Sequence, residues 1–303
     1  VQAAIEQLAD PAARPGPRKV IGLTHSHVTE GPEHRGLEII LEQVLGGAEL
    51  MARKRGYSLY TLQNSYLLHE PAGDAFPADV QGVITAGGLV SRSLLEAIRR
   101  RGLPVVIIGG QMPDLAIPSV AANNLDGMAQ ATRHLLELGH RRIGLVNGPT
   151  DTCTSFEKKA GYLTALMDAG IVHDPDLIRW HDGHLGFDMA VALPMVNALL
   201  DLGDPPTALL FANDAMAHAG IAACRERGLR VPEDVSIVGF HDDPDARLAL
   251  PQLTTVRVDR TGWGAAAVRR LLGEIEEGLT GSDRLLLPVQ LVVRDSTTCV
   301  RSA

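Results

Sequence analysis

With 45% hydrophobic and 21% charged residues, this 303-residue chain has the make-up of an ordinary folded protein, not a disordered or fibrous one. A net charge of −8 excludes the basic character with which a domain grips nucleic-acid phosphates, so DNA binding is expected only through another segment. No apolar run approaches a membrane span, no charged-then-apolar leader opens the chain, and three widely spaced cysteines suit a reduced cytoplasmic protein.

Residues Val1–Leu8 carry apolar residues at helical spacing, and Asp10–Pro17 reads as a Pro- and Ala-rich connector. From Arg18 onward apolar strands alternate with amphipathic helices. Strand Val20–Leu23 is followed by helix Ile39–Arg55, stopped by Gly56, and strand Tyr57–Leu62. Val80–Thr85, the helical pattern Ser93–Arg101 with Gly102, and Val105–Ile108 repeat the order. Helix Leu125–Leu138 ends at Gly139, where a residue without Cβ accepts a left-handed cap. Strand Ile143–Val146, helix Phe156–Asp168, strand Leu177–Trp180 and helix Phe187–Leu200 follow. Strands Ala208–Ala212 and Val235–Phe240 enclose a helix closed by Gly228. Continuous apolar strands spaced by helices predict doubly wound parallel sheets buried on both faces. In such sheets ligands sit beyond the carboxyl ends of the strands, where Asn213, Asp214, His241 and Asp242 fall.

Enzyme signatures are sparse. The chain has no phosphate-loop, nucleophile-elbow, H-E-x-x-H or C-x-x-C pattern, and Gly87–Gly88 and Gly109–Gly110 read as turns. One pair stands out: His25 and His27, as H-x-H just past the first strand, project to one side of an extended chain and could share a divalent metal. A metal-dependent barrel hydrolase places such a pair there, yet eight strand–helix repeats feeding one ring are not found, and no later strand end offers a clear third ligand. The other reading is a polar loop at the mouth of a cleft.

The wording is more specific than any of these patterns. FANDAMAHAG (211–220), VPEDVSIVGFHDD (231–243), PQLTTV (251–256), HLLELGHRRIGLVNGP (134–149) and LPVQLVVRDST (287–297) together resemble the LacI/GalR family of transcription regulators. The likeness extends over nearly all of Arg18–Ser302. It implies an α/β fold of two doubly wound parallel-sheet lobes with a ligand cleft between them, the chain crossing near Pro149, Val258 and Leu287. The N-terminal lobe would then comprise 18–149 and 258–286, and the C-terminal lobe 150–257 and 287–303. Residues 1–17 would be the remnant of a DNA-binding headpiece and hinge; the VQAAI opening fits this, while the connector departs from the family's wording. Its first residue is Val1, not Met, as expected of a piece of a longer protein. The partners implied are a small sugar-like effector, operator DNA through a helix-turn-helix upstream, and a second copy of the chain; no cofactor is implied. An extracytoplasmic solute-binding protein of a sugar transporter shares the bilobed fold and is the rival reading.

The same resemblance places the ligand-binding positions. The family's Arg in R-x-x-G-[FY] is Lys158 here, its Asn in A-N-D is Asn213, and the first Asp after the G-[FY] strand is His241. Asn213 can donate and accept toward sugar hydroxyls, or simply cap the following helix. Lys158 offers a point charge in place of a planar fork. Gly109 stands where many members carry an Asp, and Arg260 where an apolar face packs on the sugar. Together these departures replace two acids and an apolar face by neutral or cationic groups, which points to an anionic effector, a sugar acid or phosphorylated sugar. Acceptors from Asp126, Asp242 or the Thr24–Gly36 loop would instead restore a neutral sugar. Trp180 and His181, with His184 and Phe187 beyond, either line the cleft or, for Trp180, belong to the core.

Overall fold

The computed structural model describes residues 19–25, 35–63, 76–87, 92–181 and 189–300. The expected 1–17 headpiece remnant, His27, His184 and Phe187 lie outside them, as does most of the Thr24–Gly36 loop.

Among the described residues, twelve strands form two six-stranded sheets. One contains β1 (Val20–His25), β2 (Ser58–Gln63), β3 (Val80–Ala86), β4 (Val105–Ile108), β5 (Ser119–Ala122) and β11 (Arg284–Leu287), in the order β11-β5-β4-β3-β1-β2 and parallel throughout. The other contains β6 (Ile143–Pro149), β7 (Ile178–His181), β8 (Ala208–Phe211), β9 (Ser236–His241), β10 (Thr254–Val258) and β12 (Val289–Val292). Its order is β12-β10-β9-β8-β6-β7, parallel except for β12 against β10. These are two open sheets, so the closed ring that the hydrolase reading requires is not formed.

Alternation along each strand feeds two cores per sheet. On the first sheet, Ile21, Leu23, Ile84 and Val106 face α1 (Arg35–Lys54) and α7 (Arg260–Glu277) through Val44, Ala48, Ala267 and Leu271. Their neighbours Val83, Val105 and Ile107 face Leu95 and Ile98 of α2 (Arg92–Arg100). On the second sheet, Leu145, Leu210 and Val238 meet Met128 and Leu135 of α3 (Asn124–Glu137) and Tyr162 of α4 (Cys153–Asp168). Leu209, Phe211 and Ile237 meet Val196 of α5 (Met189–Leu200) and Met216 of α6 (Asp214–Glu226). Trp263 of α7 packs against the cores of both halves.

The expected first crossing near Pro149 is corrected by the sheet hydrogen bonds. Strand β6 pairs with β7 and β8, so the chain has already left the first sheet when it passes from β5 to α3 at Asn123. By sheet membership, 124–149 belongs to the second half, not the first. Two glycines seat α3 there: a Cβ on Gly127 would lie 2.9 Å from the Phe240 ring, and one on Gly161 would lie 2.1 Å from the Leu125 carbonyl oxygen. Later passages fall between β10 and α7 at Asp259, and between β11 and β12 at Pro288. Among the described residues no helix is long and apolar enough to cross a membrane.

Helices α1 and α7 approach backbone to backbone. A Cβ on Gly47 would lie 2.0 Å from Thr261 O, and one on Gly264 would lie 2.0 Å from Val44 O. Backbone cannot swing aside as a side chain can, so Gly47→Ala and Gly264→Ala are each expected to destabilise by about 1–3 kcal/mol, the usual cost of overpacking. Denaturant titration measures this; a variant as stable as the parent shows that the crossing is looser than described.

A buried polar knot fastens the C-terminal segment to the second sheet. His140 Nδ1 lies 2.8 Å from Thr207 Oγ1, and its Nε2 lies 3.0 Å from Ser236 Oγ and 3.1 Å from Thr298 O. Burial lowers the His140 pKa, which keeps the folded ring neutral, while in the unfolded chain it takes a proton below about 6.5. Stability from this site is therefore present above 6.5 and lost as pH falls below it. Thermal midpoints should fall between pH 7 and 5, and less steeply in His140→Gln; parallel pH profiles for the two proteins count against this role.

Candidate functional site

The carboxyl ends of β8 and β9 and the start of β10, at Thr255, meet around Asp214. Asn213 caps α6, its Oδ1 accepting from Met216 N at 2.8 Å, which places the next residue at the helix start and turned inward. Asp214 is 1% exposed. Its Oδ1 accepts from Thr255 Oγ1 at 2.5 Å and its Oδ2 from Asp243 N at 2.7 Å. Gly239 makes room for it, since a Cβ there would stand 2.2 Å from Asp214 Oδ1. Burial first and Asp243 second push the Asp214 carboxyl up to about 8.

Beyond β9 the backbone turns through two left-handed residues, His241 at φ 114° and Asp242 at φ 56°. Such conformations cost non-glycine residues on the order of 1–3 kcal/mol and persist only when their surroundings hold them. Asp242 is held by Arg294, by Arg257 Nε at 2.7 Å and by Arg247 Nη2 at 3.7 Å. Burial works to raise its carboxyl, but Arg294 and Arg257 outweigh that and keep it below the usual range.

Lys158 comes from the second turn of α4, whose start is fixed by the Thr152 cap and by Asn147 Nδ2 donating to Ser155 O at 2.9 Å. Its ammonium is buried, donates to Ala212 O at 2.6 Å and lies 4.3 Å from the centre of the Phe240 ring. Burial drives its pKa down to about 7 against the pull of Glu157 and Asp214, and Arg260 deepens the drop. Glu157 itself is engaged by Arg284 and by Asn124 Nδ2 at 2.9 Å.

Arg260 opens α7 and is 2% exposed. A cation in the first turn opposes the helix dipole, so the position is not one that stability alone would choose. Its Nη1 donates to Asp243 Oδ1 at 2.6 Å and reaches Gln43 Oε1 at 3.5 Å, joining the two halves of the molecule. Its Nη2 is buried with no hydrogen-bond partner, and so is His241 Nδ1. Burial, Lys158 and Arg260, in that order, hold the His241 pKa well below its ordinary value. The protonated form of His241 is therefore disfavoured where it stands.

Lys158, Asn213, His241 and Arg260 thus fall within one cluster at the junction of the halves, linked through Ala212, Asp214 and Asp243. The other expected site residues are placed differently. Gly109 has φ 82° and donates its N–H to Val120 O at 2.9 Å, so its backbone alone asks for glycine. Asp126 accepts from Gln130 at 2.7 Å, and Gln130 in turn holds Leu291 N of β12, a packing role on α3. Trp180 packs on Phe156 with ring centres 5.6 Å apart and carries the Lys159 ammonium at 5.3 Å, which makes it part of a wall beside α4. His181 ends β7 opposite Pro149. His25 ends β1 opposite Gln63 and Ala86, and its side chain, like the whole of His27, lies outside the described residues. Among the described residues no group of three or more His, Cys, Asp or Glu could hold a metal. Asp243 and Gln43 went unnoticed in the sequence: no spacing links Arg260 to an acid 17 residues earlier or to a helix of the other segment.

A model of the periplasmic binding protein-like domain matches residues 132–297. The transcriptional repressor CytR of Escherichia coli (strain K12) is 34% identical over 199 residues, 65% of this chain and 57% of CytR, so the chain spans little more than half the length of that relative. The transcriptional regulator CelR of Thermobifida fusca is 31% identical over 273 residues, 89% of this chain and 79% of CelR. The solved structure of a transcriptional regulator CelR–cellobiose complex superposes with a TM-score of 0.80 at 29% identity, covering 97% of this chain and 89% of that one. These are regulators, not transporter subunits or hydrolases. With the domain model spanning more than half of its length and CelR matched over most of both chains, this chain belongs to the LacI/GalR family of transcription regulators, as its periplasmic-binding-protein-like core.

Proposed function

We propose that the chain is the effector-binding and dimerisation core of a ligand-responsive transcription regulator, and that its effector is a sugar-like anion, a sugar acid or a phosphorylated sugar. One observation carries this reading: buried donors at the cluster are left over while its acids are spent. Arg260 Nη2 has no partner beside the buried Lys158. The neighbouring acids Asp214, Asp242, Asp243 and Glu157 are all engaged by hydroxyl, N–H or arginine. An unmet buried donor costs on the order of 1–3 kcal/mol, and a carboxylate or phosphate oxygen is the acceptor that removes the cost most completely. CelR, in its complex, holds cellobiose, a neutral sugar. The departures at Lys158, His241 and Arg260 set this cluster toward anions instead.

The mechanism follows from where the groups originate. Lys158 and His241 belong to the half built on the second sheet, and Arg260 to a helix of the first. A ligand touching all of them binds best when the halves are drawn together, and such differential affinity is what shifts a conformational equilibrium. A coupling of about 1–3 kcal/mol suffices to alter how a dimer presents DNA-reading helix-turn-helix segments upstream of these residues to the two half-sites of an operator. We assign residues 1–17 to the end of that headpiece and its hinge.

Thermal shift against glucuronate, gluconate and glucose 6-phosphate on one side, and glucose, ribose and cellobiose on the other, tests the ligand class. The acids are expected to stabilise the protein, and Lys158→Met is expected to weaken them by about 1.5–3 kcal/mol, the scale of a hydrogen bond to a charged group. A strong shift with a neutral sugar and none with any anion overturns the reading. Sedimentation equilibrium should show a dimer at micromolar concentration; a monomer there removes the proposed assembly.

A further inference from the structure

Lys158 has an unusual set of neighbours for a cation. Its Nζ spends one hydrogen on Ala212 O and rests on the Phe240 ring, and among the described residues no carboxylate lies within ion-pair reach of it. Among the described residues, the charged or titratable groups that act on it come from four places. On its own helix Glu157 is paired with Arg284 and Asn124. From α6, Asp214 has both oxygens taken by Thr255 and Asp243. From β9 comes His241, with Nδ1 buried and unpartnered; from α7 comes Arg260, bound to Asp243 and left with a free buried Nη2. A lysine, a histidine and an arginine thus share one largely buried site.

We propose that the effector enters together with a proton: the anion binds between Arg260 and Lys158, a proton from the medium settles on Lys158 Nζ, and affinity for the same anion therefore falls as the medium turns alkaline. This rests on the anionic reading of the effector. No covalent bond changes; a neutral amine takes one proton and becomes the ammonium that pairs with the incoming charge.

The sign follows from linkage. Burial holds Lys158 near 7. A bound anion favours the ammonium and raises that value, so binding takes up no proton well below pH 7 and close to one above it. The dissociation constant is then flat below about pH 7 and climbs toward tenfold per pH unit above it. An anion beside His241 and Asp214 raises their pKa values as well, so their contributions have the same sign. A sugar phosphate changes its own charge near pH 6, which makes a sugar acid the cleaner probe.

Calorimetry with glucuronate and with gluconate at pH 6.5, 7.5 and 8.5, in two buffers of different protonation enthalpy and neither of them phosphate, reads both quantities. The expected result is roughly a 20-fold rise in dissociation constant from pH 6.5 to 8.5, and uptake approaching one proton at the upper end. In Lys158→Arg, where the cation is permanent, both the rise in the constant and the proton uptake should shrink to the smaller part that Asp214 and His241 supply. A sugar acid that binds the parent with a pH-independent constant and no proton exchange overturns the proposal while leaving the anionic reading intact. A response to cellobiose or glucose, and none to either acid, overturns both. The ligand-free protein supplies a separate check: a Lys158 side-chain nitrogen that titrates above pH 9 by NMR overturns the proposal whatever binds.

Discussion

Everything at the junction hangs on the Asp214 carboxyl. It is set at the first residue of α6 by the Asn213 cap, and its two oxygens tie the end of β8 to Thr255 on β10 and to the loop after β9. That grip fixes Asp243, and Asp243 fixes Arg260, the guanidinium that connects the two halves. The Arg260–Asp243 pair is too deeply buried to be a source of stability on its face, because removing both charges from water costs about what their attraction returns. Its value is positional. A guanidinium with one edge held by Asp243 has its other edge aimed in a fixed direction, and that edge is the one without a partner.

The same packing device recurs in both halves. Helices α1 and α7 touch through Gly47 and Gly264, and α3 and α4 touch through Gly161, while Gly127 lets α3 settle on Phe240 and Val256. Close helix pairs of this sort leave little slack inside each half, and the chain passes between the halves at Asn123, Asp259 and Pro288. The passage at Asp259 is one residue from Arg260. The residue that links the halves therefore sits at one of the points where they are joined.

How much of this was legible follows from what each signal encodes. Strand and helix order is written in burial patterns, and runs such as Ala208–Phe211, apolar on both faces, admit only a covered sheet. The place where the chain leaves the first sheet is not written that way. Helix α3 is amphipathic whichever sheet it covers, and only Gly127 and Gly161, meaningful once Phe240 and Leu125 are beside them, show which one it chose. Asn213, Lys158 and Arg260 were readable because their neighbours in sequence carry a recognisable wording. Gly109 admits two readings for a physical reason, since a left-handed φ and a missing acid look identical in a sequence. The downward pull on the His241 pKa was hidden too, because it comes first from burial and then from two cations contributed by α4 and α7, far away along the chain.

The cluster holds several unfavourable features at once. His241 and Asp242 keep left-handed backbone, Arg260 opposes the dipole of its helix, and two buried nitrogens lack partners. None of these helps the fold, and each is tolerated only because Asp214 and the arginines around Asp242 over-determine the local geometry. A ligand that supplies the missing acceptors meets the unpartnered nitrogens, and it can reach them all only when α7 of one half stands close to β9 of the other. The interaction energy is then available in one arrangement of the halves and not in others, which is the condition for a ligand to shift a conformational equilibrium rather than merely occupy a pocket.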